Sequence, residues 1–183
     1  LIYRGERLVN FCTFHETGFA DIEVVHEEVK GHLWEIDYPL TDGSGKITVA
    51  TTRPETMLGD VAVAVHPKDK RYKDFVGKTV KLPLTDREIP IMADEFVDKD
   101  FGTGAVKITP AHDPNDFEVG QRHDLPKISV IGHNGKITND APKKYRGLTV
   151  EEARNTVVED LKKDGFLANV KDHVHNVGHC YKC

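Results

Sequence analysis

Phe101-Gly102-Thr103-Gly104-Ala105-Val106-Lys107-Ile108-Thr109-Pro110-Ala111-His112-Asp113-Pro114-Asn115-Asp116-Phe117 is the most informative stretch of this 183-residue chain. A glycine turn enters an alternating segment, in which Lys107 and Thr109 share one face and Val106 and Ile108 the other. Pro110 ends the strand, and Asp113-Pro114 predicts a helix start leading into 115–123. Outward from there, alternating or β-branched runs predict strands over 22–30, 32–40, 46–52, 61–66, 78–84, 88–97, 105–109 and 128–132. The cluster Thr41-Asp42-Gly43-Ser44-Gly45 predicts a hairpin turn. Short helices are expected over 55–58 and 68–75. A longer one follows Thr149, where Thr149 and Glu152 form a capping box, Val150, Ala153, Val157 and Leu161 share a face, and Gly165 ends the pattern. Many irregularly joined strands with few helices give an α+β fold, with a β-barrel core decorated by short helices.

Composition narrows the function classes. Apolar residues at 38% and charged residues at 30% suit a globular chain with a core rather than a disordered tail. No run approaches the ~20 apolar residues of a membrane span, and LIYRGERLVN lacks a signal-peptide layout. A net charge of −5 argues against nucleic-acid binding through bulk charge, so any such contact must be local. Three cysteines, an odd number, point to a reducing compartment. The chain stops inside a Cys-x-x-Cys, so a longer parent chain is expected.

Two segments carry chemistry. In the first, Lys107 and Thr109 aimed one way and followed by the carboxylates of Asp113 and Asp116 suit a zwitterionic amino acid. The same pattern also fits a strand with a solvated face and a capped helix. The second is Thr51-Thr52-Arg53-Pro54-Glu55-Thr56, which packs three hydroxyls, a guanidinium and a carboxylate into six residues at a strand end. Pro54 can open a helix whose free amides face an anionic or polar ligand, and a plain capped turn has the same signature. No Gly-x-Ser-x-Gly elbow, His-Glu-x-x-His pair or evident cysteine nucleophile is present. A hydrolase built on this chain must work by positioning water and substrate.

With ATTRPETMLGDVAVAVHP, DREIPIMADEFVDKDFGTGAVKITPAHDPNDFEVG, RLVNFC and GHCYKC all in place, the sequence resembles, over nearly its whole length, the editing domain of bacterial-type valyl-tRNA synthetases. That domain is the insertion called connective peptide 1. The isoleucyl and leucyl types carry TTTPWT-like and TTRPDT motifs at the first site, whereas this chain has TTRPET. No HIGH-like or KMSKS-like segment occurs, so ATP and magnesium would serve only the parent enzyme. The resemblance implies a hydrolase for mischarged threonyl-tRNA(Val), and for threonyl-adenylate, that spares valyl-tRNA(Val). An apolar synthetic pocket cannot strongly reject an isostere that adds a hydroxyl, and the valyl enzymes are the known case of that limit. An editing site must invert the logic, offering buried polar groups that a methyl would leave unpaired. The competing reading is a non-catalytic insertion that docks the tRNA acceptor end or spaces two domains.

Carried over by resemblance, the site comprises Asp116, Lys107 and Thr52 at the reacting end, with Arg53, Thr56, Phe101, Thr109 and Asp113 as binding residues. Asp116 would receive the substrate ammonium, and Lys107, Thr109 and Thr52 would read the side chain. Arg53 would hold the adenosine or phosphate end, and Phe101 would form an apolar wall. Residues 21–171 form the editing domain, and 1–20 with 172–183 form a neck returning to the catalytic domain. Editing itself requires no cofactor. Partners are the tRNA(Val) acceptor end, a threonine moiety and the rest of the synthetase, in a cytoplasmic monomer without membrane contact. Cys12-x-x-His15 and Cys180-x-x-Cys183 each have a zinc-knuckle gap and together supply four ligands for a structural zinc ion.

Overall fold

The computed structural model describes residues 2, 5 and 7–183; residues 1, 3, 4 and 6 of the expected neck lie outside the described residues. Nine strands and two α-helices follow in the order β1 (Asn10–Cys12), β2 (Thr17–Phe19), β3 (Val24–Pro39), β4 (Lys46–Thr51), β5 (Ala62–Val65), β6 (Thr79–Lys81), β7 (Glu88–Ala93), β8 (Ala105–Ile108), α1 (Pro114–Arg122), α2 (Val150–Lys163) and β9 (Leu167–Cys180). Short 3-10 helices occupy Asp21–Glu23 and Pro54–Gly59. The α+β class holds. The strands form three open sheets, ordered β1-β2, β4-β3-β9 and β6-β7-β5-β8, and among the described residues no closed barrel forms. Among the described residues the bridge from Leu40 to Val80 links the two larger sheets. No helix among the described residues is long and apolar enough to cross a membrane.

The expected strands 22–30 and 32–40 are one continuous strand, and its partner β9 pairs with it from Val24–Cys180 to Ile36–Leu167. Only the inner part, Trp34–Pro39, also pairs with β4 and is largely buried. The outer part is a two-stranded ribbon, exposed on one face and half-buried at His173, His175 and Val177 on the other, and because two of those three are histidines β9 carries little of the apolar alternation that marks a half-buried strand. The hairpin turn at 41–45 forms as expected, and β4 buries Ile47, Val49 and Thr51. Helix α2 has the expected capping box and buries Ala153, Val157 and Leu161 against the main core.

Two expected elements are absent for visible reasons. Over 68–75 the chain makes turns, because the Asp69 carboxylate captures the amide and guanidinium of Arg71, a local bond that competes with a helix. Over 128–132 only an isolated bridge, Ile131 to Ile137, remains. The amides of Val130 and Ile131 both turn instead to the His112 ring nitrogen Nε2, at 2.9 and 3.3 Å.

Strand β5 positions the site. Its four residues are fully buried, and it runs parallel to β7 and antiparallel to β8, placing Val63 opposite Lys107. The 3-10 helix before it ends at Gly59. A Cβ there would stand 2.9 Å from the Ile128 carbonyl and 3.3 Å from the Thr109 methyl, so only glycine permits this approach. The next residue is Asp60.

Candidate active site

Asp60 is fully buried and is the hub of a network that the sequence did not reveal. Its Oδ2 accepts from the Tyr38 hydroxyl at 2.7 Å, and its Oδ1 accepts from the Thr109 hydroxyl at 2.6 Å. The Lys107 ammonium lies 3.3 Å from the same Oδ1 and donates to Thr109 Oγ1 at 2.5 Å. Arg87 holds the surrounding backbone by donating to the carbonyls of Asp60 and Leu58. Burial pushes the Asp60 carboxyl above its ordinary range, against the pull of Lys107, Thr109 and Tyr38. Burial and the adjoining carboxylate also raise the Tyr38 hydroxyl well above its usual range, which keeps it a donor.

Lys107 is therefore no solvated strand lysine: only 7% of the residue is exposed, and its charge is matched internally. Asp116, on the first turn of α1, is 5% exposed, and its Oδ2 accepts from the Thr109 amide at 2.8 Å. Asp113 is the helix N-cap, accepting from the amides of Asn115 and Asp116 at 2.8 and 3.1 Å. Lys107, Thr109 and Asp116 thus converge, with Asp113 setting the helix that carries Asp116.

The second segment divides. Thr56 is buried and donates to the Arg53 carbonyl at 2.9 Å, while Thr51 accepts from the Arg53 amide at 3.0 Å. Both close the turn. Thr52 is half-buried beside them. Arg53 ties this segment to the other by donating to the His112 carbonyl at 2.8 Å, with nearly half its side chain in solvent. Glu55 is buried completely and pairs through both oxygens with Arg154 of α2, each at 2.9 Å. Its role in the motif is to anchor the turn to α2. Phe101 is 55% exposed and sits edge-on to His173, so it stands at an open rim.

His112 accepts two amides and is held down to about pKa 4, first by burial and then by the nearby charges of Arg53 and Lys107. It is neutral at pH 7 with its accepting nitrogen occupied, so Nε2 is not free to act as a general base. Asp116 is raised to about 7, chiefly by burial, with Lys107 and the Thr109 amide opposing. A folded carboxyl held above its unfolded value contributes stability at low pH that is lost as pH rises from about 4 to 7. Ionising it costs roughly 2–4 kcal/mol. Asp116→Asn, which retains an acceptor for Thr109, is expected to melt roughly 5–10 °C above the wild type at pH 7 and to coincide with it near pH 4. Thermal unfolding at the two pH values checks this.

Cys12, His15, Cys180 and Cys183 are brought together from opposite ends of the chain, with one ligand atom of each within 4.8 Å of the others. Cys12 Sγ stands 3.3 Å from His15 Nδ1 and 3.5 Å from Cys183 Sγ, and all three thiols are free. A tetrahedral ion with ~2.3 Å bonds to sulfur needs ligand separations of about 3.8 Å, so these four residues can hold a metal ion. Hydrogen bonding from the His15 amide and ring outweighs burial and lowers the Cys12 thiol to about 6, close to the thiolate that such a site requires.

Comparison with known proteins adds the family. Residues 68–173 match the profile described as "Leucyl-tRNA synthetase, editing domain". The chain is 59% identical to the valine–tRNA ligase of Carboxydothermus hydrogenoformans over all 183 residues, which is 21% of that protein. It is also 59% identical to that of Bacillus anthracis over 179 residues, 98% of this chain and 20% of that one. The chain therefore spans about a fifth of the curated relatives it matches. Among solved structures, GlLeuRS-CP1 matches 78% of this chain and 99% of its own, with TM-score 0.61 and 14% identity. The ternary complex of Agrobacterium radiobacter K84 agnB2 LeuRS-tRNA-LeuAMS matches 81% of this chain and 20% of that one, with TM-score 0.59 and 21% identity. These likenesses establish the fold.

Proposed function

The chain belongs to the synthetase editing-domain family, in its valine–tRNA ligase branch, and on that premise we propose that it hydrolyses threonine from mischarged tRNA(Val) while sparing the valyl ester. The observation that carries this reading is the convergence of Asp116 with the buried Lys107–Thr109–Asp60 network. The carboxylate of Asp116 suits an α-ammonium, and the adjoining donor and acceptor suit a side-chain hydroxyl. Thr52 extends the polar wall, Arg53 faces the adenosine or phosphate end, and Phe101 gives the open rim an apolar surface. Asp113 and Thr56 position these groups from beneath.

Water aligned in the site attacks the ester carbonyl, the bond to the terminal ribose oxygen breaks, and free threonine and a ribose hydroxyl leave. Positioning supplies the acceleration, since the His112 lone pair is already occupied. Threonyl-adenylate presents the same ammonium and side chain, so it is a second substrate. At Gly102, a hollow of about 470 Å³ is lined by Lys68, Asp69, Lys70, Arg71, Lys99 and Asp100; Asp69 holds the Arg71 guanidinium, which leaves the three lysines to meet an RNA phosphate. The partners are the tRNA(Val) acceptor end and the remainder of a cytoplasmic synthetase, where ATP and magnesium act.

Deacylation of threonyl- and valyl-tRNA(Val) by the full-length protein containing this chain tests the reading. Rapid loss of the threonyl ester alone is expected. Equal inertness toward both would favour a docking or spacer insertion, although such a spacer has no need of a buried carboxylate beside a buried ammonium.

We further propose that segments 1–20 and 172–183 serve as the neck and that Cys12, His15, Cys180 and Cys183, whose ligand atoms lie within 4.8 Å of one another, would hold a zinc ion as a staple between them. Zinc there would supply structural cross-linking only. Purification without a histidine tag should yield close to one equivalent of zinc, and chelation should lower the melting temperature. Less than about a tenth of an equivalent, with no loss of stability on chelation, would exclude the staple.

A further inference from the structure

We propose that Asp60 is the positioning residue that sets hydrogen-bond direction in the site, so that Lys107 and Thr109 present one donor and one acceptor side by side. The inference rests on the editing reading and deepens it by naming what enforces recognition of a hydroxyl. Ammonium has three N–H donors and no acceptor, whereas a threonine hydroxyl has one proton and two lone pairs. At the contact between Lys107 Nζ and Thr109 Oγ1, Lys107 must donate and Thr109 must accept. The single Thr109 proton then goes to Asp60 Oδ1, 2.6 Å away, an oxygen that also accepts from the Lys107 ammonium while the Tyr38 hydroxyl occupies Oδ2. Lys107 directs a second proton to the same oxygen.

After this assignment Lys107 keeps one N–H and Thr109 keeps one lone pair. A substrate hydroxyl, which both accepts and donates, matches that pair. A methyl in the same place would leave both groups unpaired. The rest of the surroundings fixes Asp60 rather than the ligand. The Tyr38 hydroxyl occupies Oδ2, Arg87 grips the Asp60 carbonyl, and the Asp60 amide closes the preceding 3-10 helix on the Met57 carbonyl. Asp60 has no exposed surface, and Thr109 at 1% and Lys107 at 7% open only narrowly, so Asp60 acts through these two neighbours where they meet the ligand.

The test uses the full-length protein and compares hydrolysis of threonyl- and valyl-tRNA(Val). Asp60→Asn should lower the threonyl-to-valyl rate ratio roughly tenfold or more. The loss should fall on the threonyl reaction, with the valyl rate little changed, a split that a merely structural defect would not produce. Lys107→Met should lower the ratio similarly, and combining the two should cost no more than Lys107→Met alone. If Asp60→Asn does not fold, Thr109→Val, which preserves shape and removes the relayed proton, should lower the ratio by a comparable factor. A wild-type ratio in Asp60→Asn or in Thr109→Val, or independent multiplication of the Asp60 and Lys107 effects, overturns the proposal. Unchanged threonyl hydrolysis in Lys107→Met would likewise overturn the proposal, whereas a wild-type protein inert toward both esters would sink the editing reading itself, a separate outcome.

Discussion

Asp116→Ala is expected to abolish threonyl-tRNA hydrolysis while leaving the protein folded. Removing the carboxylate leaves the substrate ammonium unpaired in a site with little water, at a cost of about 2–5 kcal/mol, or roughly thirtyfold to several-thousandfold in rate. The fold should persist, because Asp116 gives the protein only one bond, from the Thr109 amide, while its burial opposes stability at pH 7. The wild type should also lose activity below about pH 7, where the carboxyl takes up a proton and no longer attracts the ammonium. Wild-type deacylation by the alanine variant would remove Asp116 from the binding role.

Arg154→Ala is expected to be strongly destabilising although it lies outside the apolar core. It leaves the Glu55 carboxyl without its main partner and with no exposed surface, and Arg53, 3.6 Å away and nearly half in solvent, is a weak substitute. Breaking such a pair costs about 3 kcal/mol, the lower end of the usual range, because Arg154 keeps a third of its side chain in water. The melting temperature should fall by roughly 6–12 °C. Replacing both partners, as in Glu55→Leu with Arg154→Met, should cost less than Arg154→Ala alone. A melting temperature within about 2 °C of wild type for Arg154→Ala would show that the pair does not hold the turn to α2.

What the sequence revealed and what it hid follow from the range of the interactions. The α2 capping box, the turn at 41–45 and the strand carrying Lys107 are local patterns, so they could be read directly. The convergence of Lys107, Thr109 and Asp116 was legible because strand alternation and a helix cap lie within ten residues. Asp60 was not, because its partners Tyr38, Lys107 and Thr109 are 22, 47 and 49 residues away. The one available signal was a carboxylate at the mouth of the continuous apolar run Val61–Val65, where a buried charge demands a partner. The pairing of Glu55 with Arg154 spans 99 residues and left no trace in either segment. Strand β9 was missed for a different reason, since its half-buried positions include His173 and His175, which give no apolar periodicity to read. The α+β class with a β-rich core follows from the number of strands and their irregular joining; whether the sheets close depends on edge pairing, and among the described residues the larger two meet at the Leu40–Val80 bridge.

Recognition of the hydroxyl is best separated from chemistry with amide analogues that cannot be hydrolysed. Adenosine carrying threonine through a 3′-amide and its valyl counterpart can each be titrated calorimetrically into the full-length protein. Binding should be at least roughly tenfold tighter for the threonyl analogue, because valine leaves the Lys107 donor and the Thr109 acceptor unpaired. Equal affinities, or tighter binding of the valyl analogue at the site marked by Asp116, would contradict selection through the hydroxyl.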